Sequence, residues 1–172
     1  ERERFVPVAG EATAPLLRSS KDPTLVYAGL EPGLGKVRLT PRGPVWEGRV
    51  PGVDVNVTLI GEDPDGTLWL GLEDGLVRVL PSGTTSTFGE KNGLPAGVVR
   101  PLRLLGNRVF GATSGIYVFE EPGRFKLTRS PPAELSLGDP NLSRSVELSG
   151  GRDLVRFGNA LLVATRGSQG DT

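Results

Sequence analysis

A few acidic and basic spacings in this chain are of the kind that does chemistry. Asp63-x-Asp65-Gly66 sets two carboxylates on alternate positions, as a calcium loop begins. A complete loop needs more oxygen donors and a downstream glutamate, whereas Thr67-Leu68-Trp69 continues as an apolar strand, so the expected reading is a structural turn with no metal. Glu73-Asp74 and Glu120-Glu121 are adjacent carboxylates, the residue type that runs glycoside hydrolysis. Neighbours on a strand point to opposite faces, so neither pair is expected to act as a catalytic dyad. Ser19-Ser20, Ser114 and Ser168 lack the histidine that would activate them. The best claim to binding is basic: Asn92 lies in Asn92-Gly93-Leu94-Pro95, and Arg100 and Arg103 follow on the next stretch. Guanidinium pairs recognise carboxylates, sulfates and sugar acids through charge-assisted, two-point hydrogen bonds. Asn92, Arg100 and Arg103 are therefore the expected ligand-binding residues, for a small anionic or carbohydrate-derived ligand. The plainer reading makes Asn92 a turn former and gives the arginines to neighbouring acids.

What is missing narrows the chemistry. The 172 residues contain no cysteine and no histidine, which removes disulfides, thiolate nucleophiles, zinc–thiolate sites and the commonest general base. No catalytic residue, cofactor or metal is expected, and this segment is read as not an enzyme. Lys+Arg and Asp+Glu balance at 20 each, and no nucleic-acid partner is expected from so even a charge. The skew of 16 arginines against 4 lysines is read as genome composition rather than a site. No run of about 18 apolar residues exists, so no membrane contact is expected from the segment itself. The chain opens on Glu1 and holds no methionine, which suggests a mature or excised piece; the absence of cysteine suits an extracytoplasmic compartment.

The elements that must position these residues are short strands. Glycine (25) and proline (15) are too abundant for a helical protein, since both break helices. Val26-Tyr27-Ala28-Gly29-Leu30-Glu31-Pro32-Gly33-Leu34 is repeated as Leu68-Trp69-Leu70-Gly71-Leu72-Glu73-Asp74-Gly75-Leu76, with Gly29 and Gly71 in phase. A third copy runs Val109-Phe110-Gly111-Ala112-Thr113-Ser114-Gly115-Ile116, read with one residue deleted and Ala112 in the glycine place. A degenerate fourth is Leu162-Val163-Ala164-Thr165, and Gly52 and Gly93 form a second landmark in phase. Val55, Val57 and Leu59 alternate as a strand does, Asp63-Pro64-Asp65-Gly66 turns, and strands are expected over 67–72, 76–80 and 84–88. Four strands per roughly 42 residues is the period of a propeller blade. The expected fold is all-β, a β-propeller or part of one, with three to four blades of four antiparallel strands. The expectation is one domain over 1–172, a partial propeller, with units 9–50, 51–92, 93–134 and 135–172. Phe5-Val6-Pro7-Val8 reads as the last strand of an earlier blade, and 127–158 as loops in an enlarged one. Tyr27, Trp69 and Phe110 recur before the glycine and are expected to fill gaps between blades, with Trp69 buried.

Trp69-Leu70-Gly71-Leu72-Glu73-Asp74-Gly75-Leu76, followed by Gly93-Leu94-Pro95, resembles the propeller repeat of two-component regulators, written L-W-[IV]-G-T-x-x-G-L and then G-L-P. Leu72 stands where that repeat has threonine, while Thr113 and Thr165 keep it. Asp22-Pro23 before the first copy, with Trp46 after it, is similar to the related BNR-type repeat. The resemblance covers roughly residues 20–125. It implies an extracytoplasmic sensor or ligand-binding input domain of a bacterial signalling protein, periplasmic or extracellular and membrane-anchored. The full-length protein would then carry a histidine kinase, cyclase or similar output. Remaining blades or a homodimer partner would complete the edges. Two other classes compete: a protein–protein scaffold docking through its rim, and a secreted carbohydrate-active propeller enzyme, which would need carboxylates converging from different blades.

Overall fold

The computed structural model describes residues 13–104, 107–112, 114–129, 145–148, 152–157 and 160–165. Three four-stranded antiparallel meanders run through the described residues. The first is β1 (Thr13–Arg18), β2 (Leu25–Leu30), β3 (Gly33–Thr40) and β4 (Gly43–Arg49). The second is β5 (Leu59–Glu62), β6 (Leu68–Gly71), β7 (Leu76–Val79) and β8 (Thr85–Phe88). The third is β9 (Arg100–Leu104), β10 (Asn107–Ala112), β11 (Gly115–Glu120) and β12 (Arg124–Arg129). A three-stranded sheet follows, β13 (Ser145–Leu148), β14 (Arg152–Phe157) and β15 (Ala160–Thr165), in the order β13-β14-β15. Each four-stranded meander is the blade unit of a propeller, and the all-β expectation holds. The chain divides into two compact units, Glu1–Thr87 and Phe88–Thr172. The strand expected over Phe5–Val8 lies outside the described residues; of the segment 127–158 read as loops, the described stretches 127–129, 145–148 and 152–157 are instead strand, in β12, β13 and β14.

The turns close by one recurring device: a side-chain oxygen accepts the backbone N–H two residues on, imitating a backbone turn. Asp22 holds Thr24 N–H at 3.0 Å, Asp65 holds Thr67 N–H at 2.8 Å, Thr40 holds Arg42 N–H at 3.2 Å and Ser82 holds Thr84 N–H at 3.4 Å. Such residues compete with strand and helix ladders, which is why they punctuate this sequence between apolar runs.

In the first unit the core lies between the two meanders. Leu68 and Leu70 alternate on β6, Val77 and Val79 on β7, and they pack with Leu72, Leu34, Val53 and Val57. The pairs Leu70↔Val77 and Leu68↔Val79 put these side chains on one face. Leu34 and Leu70 are wholly buried, and each contributes roughly 1.5–3 kcal/mol through loss of apolar surface to water. The second unit uses aromatics instead. Phe125 meets Phe88, Phe110 and Phe119 with ring centroids 5.4, 5.0 and 5.2 Å apart, mostly edge to face.

The structure corrects the phase of the third repeat. Gly29 pairs with Leu34 and Gly71 with Leu76; the third sheet makes the same pair between Gly111 and Ile116, not at Ala112. Ala112 pairs with Gly115, as Leu30 pairs with Gly33. The reversal therefore keeps its length, and the missing residues fall between the copies. A shift of one residue moves a side chain to the other face. Phe110 consequently takes the place of Leu70, not of Trp69, and is wholly buried. Two further expectations differ. The strand read over Val55–Ile60 begins only at Leu59, because the Val55 carbonyl accepts from Gly33 N–H of the first meander at 2.9 Å instead of joining a ladder. The fourth copy of the motif lies on β15, the last strand of its sheet, rather than on a second strand.

Candidate functional site

The connection that carries Asn92 leaves β8 through a single 3-10 turn, Glu90–Asn92, and reverses at Gly93. The Asn92 amide is used at both ends: Oδ1 accepts from Gly89 N–H at 3.2 Å and Nδ2 donates to the Gly123 carbonyl at 2.9 Å. Gly93 has φ +89°, and a Cβ there would stand 2.5 Å from the Phe125 carbonyl oxygen, so only glycine fits. Gly52, in the corresponding connection of the first unit, repeats the arrangement, with φ +74° and Thr85 of β8 beside it. In both, the glycine connection docks on the outermost strand of the sheet it leads into.

That docking separates the expected site residues. Asn92 is pinned to the hairpin that opens β12, while Arg100 and Arg103 sit on β9, at the other edge of a sheet ordered β12-β11-β10-β9. Three strand spacings intervene, roughly 14 Å. The β9–β10 ladder runs without a bulge from Arg100↔Gly111 to Asn107↔Leu104. Arg100 is half-buried, and the Arg103 side chain lies outside the described residues. Asn92 and Arg100 are therefore not brought together.

The acidic candidates resolve into turns. Glu73-Asp74 and Glu120-Glu121 are exposed at hairpin ends. Asp63 and Asp65 face different partners: Asp63 Oδ2 accepts from Trp69 Nε1 at 2.8 Å, while Asp65 holds Thr67 through its N–H and its hydroxyl. Those bonds from Thr67 lower the Asp65 carboxyl below its usual range. Among the described residues no group of three acids is placed to hold a metal ion. Trp69 is 3 % exposed, with the Arg78 guanidinium 5.6 Å from its ring centroid, so it is a packed residue with a satisfied polar tip.

One polar cluster was not foreseen. Glu62, at the end of β5 and 8 % exposed, accepts from Ser19 Oγ at 2.7 Å, Ser20 N–H at 2.5 Å and Ser20 Oγ at 2.9 Å. Ser19 Oγ in turn accepts from the N–H groups of Lys21 and Asp22, each at 3.1 Å. Ser19 and Ser20 are thus donors to a buried carboxylate, and the arrangement holds structure rather than a nucleophile. Tyr27 packs nearby, its hydroxyl pushed up by burial first and by the charges of Glu62 and Asp22 second.

Two solved structures share this fold. Both are extracellular domains of BT4673 from B. thetaiotaomicron, described in one as a one-component system and in the other as a hybrid two-component system. The first matches with a TM-score of 0.60 and 18% identity, the second with 0.61 and 16%. Each match covers 88% of this chain and 21% of the other, so the chain spans about a fifth of the length of these neighbours. No protein-family model and no curated protein matches the chain. At this identity the likeness is one of fold, and it agrees with the resemblance carried by the repeat.

Proposed function

We propose that this chain is part of the extracytoplasmic input domain of a bacterial signal-transduction protein, a sensor that binds without catalysis. The observation that carries the reading is the agreement between the in-phase Gly29 and Gly71 repeat, built as four-stranded blades, and the fold of extracellular domains described as one- and two-component systems. The acidic pairs Glu73-Asp74 and Glu120-Glu121 lie in exposed hairpin turns, the surroundings of solvated turn residues. The ligand class proposed is a small anion or acidic sugar, with Arg100 as the contact retained from the three expected residues. Remaining blades or a second copy are the proposed structural partners.

The test uses the full-length protein in a bacterial host. Alkaline phosphatase joined after Thr165 should be active and a fluorescent protein at the same point dark; the reverse pattern would sink the reading. Calorimetric titration against acidic sugars and small carboxylates should then find a binder that Arg100→Ala weakens about ten-fold or more, the worth of a shielded charge-assisted contact. Turnover of any of those compounds would favour the enzyme reading instead.

A further inference from the structure

We propose that Glu62 is a conformational latch that makes the first two meanders open and close as one cooperative body. The carboxylate belongs to β5 of the second meander, but Ser19 and Ser20 belong to the β1–β2 turn of the first, 43 and 42 residues away in the chain. Because Ser19 Oγ also gathers the N–H groups of Lys21 and Asp22, the carboxylate is wired to the turn as a whole rather than to one hydroxyl. At the other end of the same seam, Gly33 N–H donates to the Val55 carbonyl at 2.9 Å. Between these ends the backbones nearly touch, since a Cβ on Gly29 would lie 2.9 Å from the Val57 oxygen. The rest of the seam is apolar, with Leu34 and Tyr27 against Val57 and Leu70.

Apolar contact is non-directional, and by itself it lets two sheets slide by small steps. A buried carboxylate with three directed donors does not. Any partial parting that breaks those bonds before water arrives leaves a charge and several donors unsatisfied, a costly intermediate. The seam therefore has two states, closed or fully open. The competing reading makes Glu62 a local cap on the 19–24 turn, with the apolar seam setting the coupling.

Hydrogen exchange by mass spectrometry on the full-length protein separates the two. In the wild type, peptides covering 25–40 and 68–80 should show the same protection, as one opening unit does. Glu62→Gln keeps the shape but turns one acceptor into a donor facing donors. It should speed exchange at Gly33 and along β2–β3 by about ten-fold or more, the size of a lost charged hydrogen bond, and leave β6–β7 behind. Acceleration confined to 19–24 would overturn the latch, as would equal acceleration of both meanders. If Glu62→Gln does not fold, the Ser19→Ala/Ser20→Ala double variant keeps the Ser20 N–H on Glu62 and should separate the two meanders by a smaller factor. Unchanged, shared protection in that variant would also overturn the proposal.

Discussion

The β1–β2 turn carries two polar networks a few residues apart in opposite surroundings. Ser19, buried in the seam, and Ser20, exposed at its edge, both meet the buried Glu62. Asp22 and Thr24 face water and meet Arg38, which also grips Glu47 at two points, Nε to Oε1 at 2.7 Å and Nη2 to Oε2 at 3.2 Å. By charge alone the exposed network is the richer, with three ions against one. Burial reverses the ranking. Water and salt screen the Arg38 network, whereas Glu62 has exchanged its hydration for protein donors and cannot recover it without opening the seam. Charge in a sequence therefore says little about stability until its depth is known.

The largest effects should follow buried polar groups attached to packing. Trp69→Ala removes a large side chain that is 3 % exposed together with its Nε1–H bond to Asp63 Oδ2; a loss of roughly 3–5 kcal/mol in denaturant unfolding is expected. Trp69→Phe keeps most of the volume and loses the Nε1–H bond, so it should recover more than half of that loss. A Trp69→Ala variant as stable as the parent would show that burial is not what ranks these sites. Glu62→Ala comes next, at roughly 2–4 kcal/mol, since Ser19, Ser20 and the turn behind them lose a charged acceptor. If Glu62→Ala were milder than Arg38→Ala, the comparison would be broken outright.

What was legible beforehand follows the same division. The repeat announces itself through Trp69, Gly71 and Gly75, because turn glycines and the residues packed beside them have few substitutes. Strand number and fold class follow from that spacing. The phase of the third copy did not, because aligning Phe110 with Trp69 looks better in sequence than the hairpin register that fixes Gly111 opposite Ile116. Val57 is buried and Val55 exposed in a connection that imitates an alternating strand. The separation of Asn92 from Arg100 and Arg103 depends on the order β12-β11-β10-β9, which no local pattern encodes. Ser19, Ser20 and Glu62 are common residue types more than forty positions apart, and only the packing of one sheet on another brings them together.

A smaller effect belongs to Asn92, an intermediate case with a part-buried amide. Asn92→Ala leaves Gly89 N–H and the Gly123 carbonyl without their partner, and a loss of about 1–2 kcal/mol is expected. Asn92→Asp should be no better, because it keeps an acceptor for Gly89 but turns a carboxylate oxygen toward the Gly123 carbonyl. Binding of an anionic ligand by the refolded variant should be unchanged. A loss of affinity with no loss of stability would return Asn92 to the binding site.

The smallest effect, and the most informative about the exposed network, is the dependence on acid. Asp22 is lowered from 3.8 to about 2, first by the Thr24 hydroxyl and only then by Arg38. Glu47 is lowered too, chiefly by its hydrogen bond from Arg38. A carboxyl lowered on folding contributes stability that is complete above its unfolded value and is lost as the pH falls through its folded one. The window for Asp22 is therefore from about 4 down to about 2. Within that window Thr24→Val and Arg38→Ala should each flatten the fall in stability, since the first removes the largest single cause and the second removes both a hydrogen bond and a charge. Arg38→Ala should also weaken the protein slightly at neutral pH and low salt, and the difference should vanish near 1 M salt, where the screening length is about 3 Å. Carbon-detected titration of the Asp22 carboxyl in the two variants reads this directly. If neither variant raised that titration, neither the turn nor the ion pair would be what holds Asp22 low.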